Sequence, residues 1–202
     1  MNAAAAVLES IAGLLEERHH GFEHVGVVLA LLAELEPTSA DEAPNAAPHH
    51  GELTAALAEM EAAGGPLARI ARSVDEGAGE LSWRVDDGRY YRKDAPVGDG
   101  YRRGNMHTVL GTRGDASAGL FLLRPDVDYR DHRHAAPELY VNLAGRPSWR
   151  FDGGVWAEMS PSSIVWNDAG SVHATRSGAT PWLSFWCWTS DSDGWCEVVE
   201  YD

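Results

Sequence analysis

A mainly β chain with an α-helical N-terminal region is the fold class predicted by these 202 residues. Two observations predict it. The apolar residues change period along the chain, from helical spacing in the first third to alternation beyond Leu81. The later part then breaks into many short apolar runs set apart by turn residues, the pattern of an all-β sandwich or small barrel. We therefore divide the chain into a helical region, residues 1–76, and a β-barrel, residues 77–202.

Taken in order, Val7, Leu8, Ile11, Leu14 and Leu15 recur at helical spacing, and a second helical run covers Phe22 to Leu35. Together they make an amphipathic hairpin or bundle. PTSADEAPNAAPHHG, from Pro37 to Gly51, carries three prolines and few large apolar residues, so it is predicted as a linker. Helix resumes in ELTAALAEMEAA, restarts after Gly64 and Gly65 at Pro66, a favoured first-turn residue, and fades near Val74. LSWRVDDGRYYRK reads as two strands about Asp87-Gly88, and RFDGGVWAEM as two more about Gly153-Gly154. NMHTVLGT, AGLFLLRP, ELYVNLAG, SSIVWND, VHATRSG, PWLSFWCWT and WCEVVEY supply the remaining strands.

Thirty-one acidic residues against sixteen basic ones give a formal charge of −15, which repels phosphate backbones and argues against a nucleic-acid partner. No apolar run reaches the roughly 20 residues of a membrane span, and MNAAAAVLESIAGLLEE lacks the basic start of a secretory signal. A cytoplasmic monomer or homodimer with no membrane partner is expected. Cys187 and Cys196 lack CxxC spacing, so they are expected to be reduced structural thiols.

The chemistry concentrates in DYRDHRHAAPELYVNLAG, Asp128 to Gly145. On a strand, residues two apart share a face, so His132 looks with His134, and Glu138 with Tyr140 and Asn142. Leu139, Val141 and Leu143 form the opposite, apolar face. Imidazole and carboxylate bind borderline divalent metals when three or four converge from rigid elements. His132, His134 and Glu138 are three candidates; His173 is the first choice for a fourth and His107 the second. The plainer reading is a polar strand face without a metal.

H-x-H-x3-E-x6-G, from His132 to Gly145, is similar to the first motif of the cupins, and G-x2-H, from Gly170 to His173, resembles the second. Asp126 and Asp168 depart from it, standing where cupins usually have glycine and proline. The resemblance implies a double-stranded β-helix, or jelly-roll barrel, holding one divalent metal on His132, His134, Glu138 and His173. Zinc, iron, manganese, cobalt and nickel all suit that donor set, zinc or iron foremost. Adding Tyr129 and Tyr140, the pattern Y-x2-H-x-H-x3-E-x-Y with a helical N-terminal part and a tryptophan-rich end resembles the cupin dimethylsulfoniopropionate (DMSP) lyases.

That resemblance implies a small-molecule substrate, DMSP, cleaved by β-elimination to dimethyl sulfide and acrylate. A base must take the proton next to the carboxylate, and the developing negative charge needs a Lewis acid. Tyr140 or Tyr129 is the expected base; a free phenol titrates near 10, and a neighbouring cation favours its anion. In PWLSFWCWT, Trp182, Trp186 and Trp188 share one face and Leu183, Phe185 and Cys187 the other. Trp188 first, and Trp186 second, are expected to receive the sulfonium, since aromatic faces attract cations. Asn142 either binds substrate or satisfies a barrel backbone group. The same motifs also fit a cupin oxygenase, isomerase or decarboxylase, or a cupin that binds a small molecule without catalysis.

Overall fold

The computed structural model describes residues 2–38, 49–85 and 99–201. Helix α1, Ala3–His19, starts at Asn2, whose side chain accepts from the Ala5 N–H at 3.2 Å and so satisfies one otherwise unpaired donor. Val7, Ile11, Leu14 and Leu15 on its inner face are fully buried. Helix α2, Val25–Leu32, is shorter than the expected Phe22 to Leu35 run. Phe22 and Val25 instead donate to His19 and Phe22 carbonyls, spending those residues on a turn. Pro37, expected to open a linker, belongs to a two-residue edge strand, β1 (Glu36–Pro37), where a missing N–H is tolerated. Helix α3, His50–Ala63, begins just inside the expected linker. It stops at Gly64, whose φ of 73° suits glycine, and α4, Gly65–Glu76, follows with Pro66 in its first turn.

The expected hairpin at Asp87-Gly88 lies outside the described residues. Before it, Arg84 makes an isolated bridge to His107. Helix α5, Asp99–Gly104, was not legible in the sequence: DGYRRG has two glycines and a single large apolar residue. It matters because it carries Tyr101 into the core.

The strands that follow are β2 (Asn105–Arg113), β3 (Ala116–Leu123), β4 (Asp128–His134), β5 (Glu138–Ala144), β6 (Ser148–Phe151), β7 (Ala157–Glu158), β8 (Ile164–Asn167), β9 (His173–Arg176), β10 (Trp182–Trp188) and β11 (Cys196–Val198). The expected hairpin about Gly153-Gly154 is present as the antiparallel pair β6 and β7. Among the described residues the strands form two sheets, β1-β2-β3-β10-β5-β8 and β11-β4-β9-β6-β7. All strand pairings among the described residues are antiparallel, and apart from β1-β2-β3 and β6-β7 consecutive strands lie in different sheets, as the jelly-roll barrel expected from the cupin resemblance requires.

Every residue of β3 and β5 is buried, because each strand has a core on both sides. Leu120, Leu122, Leu139, Val141, Leu183 and Phe185 face outward into one apolar cluster with helices α1 to α4. Phe121, Leu123, Tyr140, Trp149, Val165 and Trp182 face inward, between the sheets. The helices thus seal one sheet from water, while the alternate residues are left to build the interior. Cys187 lies on the helix side and Cys196 on the inner side; both are buried, neither forms a disulfide, and burial pushes the Cys187 thiol up to about 12. Among the described residues no helix is long and apolar enough to cross a membrane.

Candidate active site

Three imidazoles converge in the barrel interior. His132 and His134 come from β4 and His173 from β9, whose pairing sets His173 directly opposite His132. One ring nitrogen from each lies within 4.8 Å of the others, and all three residues are buried. Each ring is oriented in the same way: Nδ1 of His132 donates to the Arg130 carbonyl at 2.7 Å, that of His134 to Ala136 at 2.8 Å, and that of His173 to Ser171 at 3.1 Å. A carbonyl only accepts, so each Nδ1 carries the hydrogen and each Nε2 is turned to the centre.

The electrostatics follow from burial. His132 is held down to about 3 by desolvation, then by the neighbouring His134, and His173 is lowered well below the ordinary value for the same first reason. Both are therefore neutral at pH 7, the form that binds metal. For His134 burial is again the largest influence, but the Glu138 charge and hydrogen bond outweigh it and raise the pKa. Its Nε2 sits 3.0 Å from Glu138 Oε2. His173 Nε2 is buried with no hydrogen-bond partner among the described residues. An orphaned acceptor next to two other imidazole nitrogens and a carboxylate fits a divalent metal.

Glu138 opens β5 and is 2% exposed. Its Oε2 also lies 3.9 Å from His173 Nε2 and accepts from Asn167 Nδ2 at 3.4 Å, while Oε1 accepts the Trp188 indole N–H at 2.7 Å. Glu138 reaches the wall of a cavity of about 260 Å³ that it shares with Tyr101, Phe121, Tyr129, Tyr140, Trp186 and Trp188. The imidazoles stand just behind: Tyr129 stacks on His132, and the Trp188 ring centroid is 5.2 Å from that of His134.

The structure thus gathers most residues singled out in the sequence. Tyr129, Tyr140, Trp186 and Trp188 line one cavity beside His132, His134, Glu138 and His173. His107 is on the cavity wall but outside the imidazole cluster. Asn142 is directed elsewhere, its amide donating to the Gly145 carbonyl at 3.1 Å and to Met159 at 3.3 Å. Trp182 shares a strand face with Trp186 and Trp188 yet is 1% exposed, packed edge-on to Trp149 in the inner core. Trp186 lies across β3 at Gly119, where a Cβ would come within 2.7 Å of the indole. Tyr101, which stacks on Tyr129 at 4.3 Å, and Asn167, opposite Glu138 on β8, were missed. Neither carries a local signal, since strand pairing and α5 bring them in.

A larger open cleft, about 580 Å³, lies on the outer face of the second sheet and shares Tyr129 with the inner cavity. Its charges pair among themselves, Arg150 with Asp131 and Arg130 with Glu200.

Two antiparallel sheets wrapped around an imidazole cluster make this a cupin-fold protein. The particular family follows from comparison with known proteins. Residues 23–184 match the family model of dimethylsulfoniopropionate lyase, and the chain belongs to that family. Over 63 residues it is 32% identical to the dimethylsulfoniopropionate lyase DddQ of Ruegeria pomeroyi, a match spanning 31% of this chain and only 31% of that relative's length. The crystal structure of DMSP lyase DddQ from the same organism superposes with a TM-score of 0.71 at 20% identity, covering 98% of this chain and 96% of that one. A structure from a study of the DMSP lyases RdDddP and RnDddQII gives 0.73 at 16% identity, covering 98% of each chain. At such identities the likeness establishes the fold.

Proposed function

We propose that this chain cleaves DMSP into dimethyl sulfide and acrylate, using one divalent metal on His132, His134, Glu138 and His173 and a tyrosine base. The observation that carries the reading is the convergence of three buried imidazole nitrogens behind a cavity walled by three tyrosines and two tryptophans. Family membership supplies the substrate class. When bound, the metal supplies Lewis-acid stabilisation of the charge developing toward the substrate carboxylate and of a nearby phenolate.

The chain's own residues do the rest. Of the phenols on the cavity wall, Tyr140 and Tyr129 are the candidates, and one of them, as phenolate, takes the proton from the carbon next to the carboxylate. The C–H electron pair becomes the second bond of the alkene, the C–S bond breaks onto sulfur, and the proton remains on the phenol. Trp186 and Trp188 receive the sulfonium, each contact contributing about 0.5–2 kcal/mol. Phe121 and Tyr101 close the cavity on the inner core, which keeps water from the reacting carbon.

The test is headspace detection of dimethyl sulfide from purified, metal-assayed protein given DMSP. Metal-loaded protein that makes no dimethyl sulfide overturns the substrate reading. Oxygen uptake on turnover would instead mark an oxygenase, and ligand binding without product a binding protein.

A further inference from the structure

We infer that Trp188 is a positioning residue for the metal site, acting through Glu138 by its indole N–H as well as facing the cavity with its ring. This rests on the reading of Glu138 as a ligand beside the three histidines. Trp188 and Glu138 are direct partners across β10 and β5, so the backbone register brings the two side chains together. The indole donates to Glu138 Oε1 at 2.7 Å, the shortest of the contacts to this carboxylate.

The two carboxylate oxygens are thereby divided. Oε1 is held by a group that can only donate, while Oε2 is turned to His134 at 3.0 Å and His173 at 3.9 Å. A carboxylate rotates about its last bond, so fixing one oxygen fixes the direction of the other. Without the indole N–H, a buried Oε1 would be left without this donor, and the carboxylate would turn to seek another. Groups that hold a ligand in this way typically change metal affinity by about 10- to 100-fold when removed. Trp186, on the same wall, has no bond to Glu138 among those described and provides a matched control.

The experiment measures zinc affinity of metal-free full-length protein by chelator competition, together with the visible spectrum of the cobalt-loaded form. Trp188→Phe keeps an aromatic ring and removes the N–H. It should weaken zinc binding about 10- to 100-fold and shift the cobalt bands, whereas Trp186→Phe should do neither. In a Glu138→Ala background the effect of Trp188→Phe on zinc affinity should disappear, because its route is gone. Wild-type zinc affinity in Trp188→Phe, or an equal loss in the Glu138→Ala background, overturns the inference. If the phenylalanine variant fails to fold, benzothienylalanine at position 188 keeps the bicyclic shape without the N–H and answers the same question. A wild-type protein that binds no zinc or cobalt would overturn the ligand reading instead, and the two failures are distinct.

Discussion

Tyr129 lies flat against His132, ring centroids 4.0 Å apart and planes 18° apart, although an odd number of positions along β4 separates them. A regular strand would send them to opposite faces. The pairing of β4 with β9 slips between Tyr129 and His132, and this bulge returns both to the inside. Tyr101 covers the other face of Tyr129. The phenol is thus fixed between a helix and a candidate ligand.

That stack separates the two tyrosines experimentally. Phe at position 129 or 140 keeps the ring and its packing, so metal binding should survive in both variants. At the position that holds the base, kcat should fall by about 10² to 10⁴, and less at the other. Because the base works as phenolate, wild-type activity should rise from near-neutral into alkaline pH with a midpoint below about 10. Near-full kcat in both variants, with metal bound, would remove tyrosine from the mechanism.

Acid should destabilise the metal-free protein. Buried His132 refuses a proton until about pH 3, whereas in the unfolded chain it takes one near 6.5. Between those values the unfolded state binds more protons, so stability falls as pH falls, by about 1.4 kcal/mol per pH unit for each such histidine. His173 acts in the same sense. His134, raised, acts oppositely: its contribution is present below 6.5 and is lost as pH rises through its folded value. Below pH 6.5 His134 therefore adds little slope, and the two lowered histidines predict a net fall in Tm from pH 6.5 to 4, readable by calorimetry; a level Tm would contradict the burial argument.

His134→Ala and His173→Ala should each abolish stoichiometric metal binding and DMSP cleavage while the fold persists. The apolar clusters that hold the sheets together do not include these side chains. Elemental analysis and far-UV circular dichroism read the two halves of that expectation.

Gly119→Ala should disturb the β2–β3 pairing and Trp186 together. A Cβ there meets the Thr108 carbonyl and comes within 2.7 Å of the indole. Overpacking of this kind costs about 1–3 kcal/mol, and the tryptophan must move into the cavity or the strand must shift. A raised KM for DMSP with a lowered Tm is the expected pair of readings.

On the outer face, Asp131, next in the chain to His132, is bound by Arg150. Its side chain is 6% exposed and that of Arg150 28%. Arg150→Ala leaves a buried carboxylate with less compensation. Because Arg150 keeps some solvent, we expect a loss of about 2–3 kcal/mol in urea denaturation, less than for a fully buried pair. Arg150→Lys should recover only part, since it lacks the planar fork.

The sequence by itself determined the helical first third, the short strands after it, and the facing of His132 with His134 and of Glu138 with Tyr140. Such facing is local: strand geometry sends alternate side chains to one side whatever the partner strands are. It also separated Leu139, Val141 and Leu143 from the polar set, but only the tertiary structure put them under the helices and the polar set inside. The fourth candidate ligand, His173, was visible by its motif; its place opposite His132 was not, because that is decided by the pairing of β9 with β4. Tyr129, Asn167 and Tyr101 reached the site through a bulge, a cross-strand neighbour and a helix that the sequence did not announce. Likewise Trp182 and Trp188 share a strand face yet differ in fate, one packed in the core and one bonded to Glu138. Spacing along a chain is fixed by backbone geometry, whereas register, bulges and depth in the barrel are set by hydrogen bonds and packing between segments far apart in sequence.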